Sequence, residues 1–145
     1  MLHLVFGRDA EVCTFVSERI KWGAGGNFED KTPGIAVCDD YGKIVAGVVY
    51  HDHVPKFETV QITMAADNPM WARRDLIAGL LHYPFRQLNC YKVWIVTRLS
   101  EVRAIKTFEH VGFKREAVLA HQFGRKQHAW VGRMLQPDYA RFYEE

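Results

Sequence analysis

The chain has 145 residues, 48% hydrophobic and 25% charged, which is enough apolar material for one core and too much for disorder. With 19 Lys and Arg against 17 Asp and Glu, the net charge of +2 is too small to argue for nucleic acid or an anionic membrane. No window approaches the roughly 20 apolar residues that span a bilayer, and Cys13, Cys38 and Cys90 form neither a CxxC pair nor zinc-ligand spacing.

These features predict a reduced, cytoplasmic protein folded as a single domain over residues 1–145, with no leader segment. Residues 2–6 suit a first strand, ended by Gly7. Asp9 is a candidate cap for a helix over 10–20, whose Val12, Phe15, Val16 and Ile20 fall near helical spacing. The Gly-, Asn- and Pro-rich stretch 22–34 reads as a loop with room for a short helical turn. Strands over 35–38 and 43–50 flank the turn Asp39-Asp40-Tyr41-Gly42, forming a hairpin.

A third strand covers 58–65, with Glu58, Val60, Ile62 and Met64 on one face and Thr59, Gln61 and Thr63 on the other. Asn68 and Pro69 predict a capped helix start, and the helix runs through Trp71, Leu76, Leu80 and Leu81 towards Gln87 with a kink at Pro84. The near-continuous apolar run 91–97 predicts a central strand covered on both faces. Ser100 is the expected cap of a helix striped with Ala104, Ile105, Phe108 and Val111 and closed by Gly112. Strands over 116–123 and 128–135 flank a turn at Gly124-Arg125-Lys126-Gln127, and the tail after Pro137 reads as peripheral. The order is that of an α/β (α+β) protein: a mixed central sheet flanked by helices.

The segment SEVRAIKTFEHVGF, Ser100 to Phe113, follows a strand and precedes a hairpin, and it resembles the N-x-R-A-I-x-x-Y-E-x-x-G-F helix of the GNAT acyltransferases. The run PMWARRDLIAGLLHYPFRQLNCYKV further resembles a phage and prophage subgroup of that family, and the likeness spans roughly residues 36–135. It implies the GNAT-like acyl-CoA N-acyltransferase fold, acetyl-CoA as co-substrate and an amine of a small molecule or protein as acceptor, joined by direct attack in a ternary complex. A homodimer is compatible with it, and neither nucleic acid nor membrane is called for.

The resemblance places Thr63, Met64, Ala65, Trp71, Arg73, Arg74, Arg103 and Phe108 around the cofactor. The family's glycine loop before the second helix is missing, with Asp75 and Ile77 at the glycine positions; Arg73 and Arg74 are then the residues that would meet its phosphates. Glu101 stands where the family often has Asn, and Phe108 where it often has the Tyr that protonates the departing thiolate. Glu58 is the candidate base, Gln61 a candidate holder of water or substrate, and Ser100 a candidate proton donor. His51 and His53 follow the hairpin and suit proton shuttling, without a third ligand for a metal. The departures from the family pattern leave a second reading open: a GNAT-fold phage protein that binds a partner or joins a virion without catalysing transfer.

Overall fold

The computed structural model describes residues 1–20, 28 and 32–144. Most of the expected loop over 22–34 therefore lies outside the described residues. Within them the elements run β1 (His3–Val5), α1 (Asp9–Arg19), β2 (Gly34–Cys38), β3 (Ile44–Val54), β4 (Thr59–Ala66), α2 (Arg74–His82), β5 (Lys92–Arg98), α3 (Val102–Val111), β6 (Lys114–Leu119), β7 (Ala129–Leu135) and a short α4 (Gln136–Tyr139). The strands form a seven-stranded sheet in the order β1-β2-β3-β4-β5-β7-β6. Neighbours are antiparallel except β4 and β5, which are parallel. This is the mixed sheet with flanking helices that the element order predicts.

The expected alternation in β4 holds. Val60 and Ile62, with Met64 beside them, join a core shared with Leu76, Leu80, Phe108 and Trp130, while Ala65 packs on the opposite side with Val12, Phe15 and Val16 of α1. A strand presents successive side chains to opposite faces, so one eight-residue segment serves two cores. The β5 expectation needs correction. Val93, Ile95 and Thr97 are buried, but Lys92, Trp94 and Val96 are only half-buried; α1 packs chiefly on β2, β3 and β4.

The turn between β2 and β3 forms as its residues require. The Asp39 carboxylate accepts from the N–H groups of Tyr41 and Lys43, at 2.9 and 3.0 Å, and Gly42 adopts φ +79°. Two helix starts differ from expectation. Asp9 lies inside α1, and its carboxylate accepts from Gly34 N–H at 3.0 Å, which ties α1 to β2. Asn68 does cap, accepting from Met70 N–H at 2.9 Å, but it caps a separate 3₁₀ turn, Pro69–Trp71, and α2 begins only at Arg74.

Pro84 acts as expected by removing a donor, and the outcome is a π-helical turn over Tyr83–Gln87. The carbonyl of Leu80 would take its helical bond from the N–H four residues on, where Pro84 has none; the buried Tyr50 hydroxyl donates to it instead, at 2.6 Å. Strand β6 runs from Lys114 to Leu119, so it begins two residues and ends four residues earlier than expected. Nor is the tail peripheral. Tyr139 is 2% exposed and stacks on Phe85 with centroids 4.8 Å apart, Tyr143 donates its hydroxyl to the Val111 carbonyl, and Arg86 pairs with Glu144.

Candidate functional site between the splayed strands

β4 and β5 pair over four positions, from Thr59 opposite Lys92 to Ile62 opposite Ile95. Beyond Ile62 the pairing stops. β4 continues to Ala66 held only by β3, and β5 continues to Arg98 held only by β7. Two parallel strands that part in mid-sheet leave inner edges whose backbone N–H and C=O groups have no strand partner. The gap opens into a cleft of about 460 Å³. Met64, Trp71, Ala104 and Phe108 line it on the α2–α3 side, and Arg19, Ile20, Thr63 and Ala65 on the α1 side, so the opening passes through the sheet.

Of the residues singled out in the sequence, Thr63, Met64, Ala65, Trp71, Arg103 and Phe108 meet in this cleft. Arg103 is exposed, and no carboxylate among the described residues forms an ion pair with it. Phe108 is 7% exposed, edge-on to Phe113 and stacked against Trp130 at 6.3 Å; it is a wall with no proton to give.

The remaining candidates lie elsewhere. Glu58 sits at the closed end of the β4–β5 pair, exposed and with φ +56°, its carbonyl accepting from Tyr91 and Lys92. Four paired residues separate it from the place where the strands part, so the expected base does not face the cleft. Gln61 is buried within the paired segment, directly opposite His51. Ser100 is exposed, and α3 is preceded by Glu101 with no side-chain cap; only the Ser100 carbonyl is engaged, by Val102 N–H.

Arg73 and Arg74 are also engaged away from the cleft. Arg73 grips the Asp75 carboxylate through two bonds of 3.1 and 2.6 Å, and Arg74 donates to the Phe142 carbonyl of the tail and stacks over Tyr143. Asp75 thus stands as a resident anion at the first turn of α2. The Arg73 bond, aided by backbone N–H groups of Leu76 and Asp75 itself, holds its carboxyl below the usual range.

Among the described residues two carboxylates reach the cleft and both are matched: Asp67 by Arg19 at 2.7 Å, and Glu101 by Arg98 at 2.6 Å. The Arg19–Asp67 pair joins the end of α1 to the residue after β4, 48 positions apart, which local sequence does not reveal, whereas Arg98 and Glu101 are only three residues apart. Among the described residues no three His, Cys, Asp or Glu side chains gather as metal ligands, no helix is long and apolar enough to cross a membrane, and the three cysteines are buried.

The parted parallel strands, flanked by α2 and α3 and closed by the β6–β7 hairpin, define the GNAT acyl-CoA N-acyltransferase fold. Solved structures with this architecture include mutant forms of the spermidine/spermine N-acetyltransferase SpeG from Vibrio cholerae, at TM-score 0.77 and 17% identity over 97% of this chain and 98% of that one. The same organism's enzyme in complex with CoA and spermine matches at TM-score 0.73 and 18% identity, over 95% and 97% of the two chains. Its dodecameric form in an intermediate state matches at TM-score 0.75 and 17% identity, over 95% of both. No protein-family model matches the sequence, and neither does any curated protein.

Proposed function

We propose that the protein is an acetyl-CoA-dependent N-acetyltransferase, a single soluble cytoplasmic domain that joins an acyl group to an amine by direct attack in a ternary complex. The observation that carries this is the cleft itself. Its unpaired strand edges suit the amide-bearing arm of coenzyme A, which can bond to a strand edge as another strand would. Thr63, Met64, Ala65, Trp71 and Phe108 would wall that arm, and Arg103 is the cation in reach of its phosphates. The first turn of α2 suits a diphosphate less well, because Asp75 already occupies it. The structural neighbours' CoA and spermine complex supports the same cofactor and an amine acceptor.

Acetyl-CoA at 100 times its dissociation constant should stabilise the fold by about 2.7 kcal/mol, read as a rise in Tm. Thiol release should follow when an amine is added. A folded protein with no Tm shift at millimolar acetyl-CoA would defeat the proposal.

A second reading is favoured by Phe108 and Asp75: a GNAT-fold binding module that holds the cofactor or a partner without transfer. A phage origin for it rests on the resemblance of the run from Pro69 to Val93. A clear Tm shift with no thiol release across a broad amine panel would decide for this reading.

A further inference from the structure

His51 is 12% exposed at its side chain and stands between two partners. Its Nδ1 lies 2.6 Å from Asp52 Oδ2 and its Nε2 lies 2.7 Å from Thr63 Oγ1. Thr63 is 7% exposed and lines the cleft on the α1 side, and the ring of Phe28 lies 5.0 Å from the imidazole. Neighbouring side chains of a regular strand point to opposite faces, so a carboxylate at 52 would not ordinarily reach the imidazole at 51. Here it does, because Asp52 takes φ +53° and the β3–β4 register shifts between His51 and Val54. Backbone in that region is costly for a residue other than Gly, and such a cost is commonly met where a side chain has a task.

The carboxylate fixes a proton on Nδ1, which leaves the Nε2 lone pair to accept from the Thr63 hydroxyl. We propose that Asp52, His51 and Thr63 form a proton relay that takes the proton of the acceptor amine during acyl transfer. The relay rests on the transferase reading above. As the amine nitrogen attacks the thioester carbonyl carbon, its proton passes to Thr63 Oγ1 while the hydroxyl proton passes to His51 Nε2. The C–N bond forms, the C–S bond breaks and its electron pair leaves on sulfur. The imidazolium faces the Asp52 carboxylate until its proton returns to the thiolate through water. This supplies the base that Glu58, at the closed end of the strands, cannot.

The test measures thiol release from acetyl-CoA with a panel of primary amines, for wild type and the variants Thr63→Val, Thr63→Ser, His51→Gln and Asp52→Asn, with Tm recorded for each. Thr63→Val and His51→Gln should lower kcat by about 100-fold or more, with the KM for acetyl-CoA within about threefold. Asp52→Asn should lower kcat by at least about tenfold, and Thr63→Ser, which keeps the hydroxyl, should recover most of the kcat that Thr63→Val loses. If Thr63→Val misfolds, the His51→Gln and Asp52→Asn values carry the test. An active wild type whose His51→Gln variant, equally stable, is as fast overturns the relay and leaves the transferase reading standing. A wild type that releases no thiol overturns both.

Discussion

The hydroxyl of Tyr50 takes the place of a backbone donor. Pro84 leaves the Leu80 carbonyl without its i+4 partner, and the tyrosine is fully buried, with its own ionisation pushed well up by desolvation. Tyr50→Phe should therefore cost about 1–3 kcal/mol, the penalty of a buried acceptor left unpaired, measured by denaturant unfolding. Asp67 invites a pH test. Its hydrogen bond to Arg19 holds its carboxyl below the usual range, so the pair stabilises the fold above the ordinary carboxylate range, and the effect fades as pH falls through the depressed value. The pair is partly exposed, so the effect is small, about 1 kcal/mol at most. Wild type should melt slightly above Asp67→Asn at pH 7, and the two should converge in strong acid. Phe108→Tyr would place a phenol in the cleft wall; roughly a tenfold gain in thiol-release rate is expected if sulfur protonation limits turnover.

Helix ends and strand partners show where sequence was enough. Gly112 was legible as the stop of α3, because a φ of +119° falls where glycine alone is at ease. A Cβ there would also lie 3.0 Å from Met134 Cε and 3.1 Å from Phe142 Cδ2, so Gly112→Ala should cost about 1–3 kcal/mol in thermal unfolding. Alternation in β4 and the Asp39–Gly42 turn were legible for the same reason: local chemistry decides them. Asp9 was misplaced as a cap because its carboxylate went to a tertiary partner, the Gly34 N–H, and Ser100 because it stands one residue before Glu101, the position that precedes α3. The tail after Pro137 has no pattern that reveals the Phe85 ring waiting for Tyr139. Of the cleft, Arg103 and Phe108 were traceable from the family-like helix. The Asp52–His51 pair was not, since it depends on a register shift invisible to a period-2 pattern.

At the scale of the whole molecule, two cores lie on opposite faces of one sheet, and β6 is left at the edge. Its residues are mostly exposed, and a register shift between Arg115 and Ala117 interrupts its pairing with β7. Hydrogen exchange should accordingly be faster in the edge strands β1 and β6 than in β3 and in the paired stretch of β4 and β5, where both neighbours are strands. Equal protection across the sheet would contradict this.

The parting of β4 from β5 is written in the main chain, in the residue where ladder bonds cease, and only secondarily in the side chains that wall the gap. An opening defined in that way can outlast turnover of almost every amino acid around it. Chains only 17% identical share this fold, and a frame set by the main chain lets the walls change, and with them what enters, without being rebuilt.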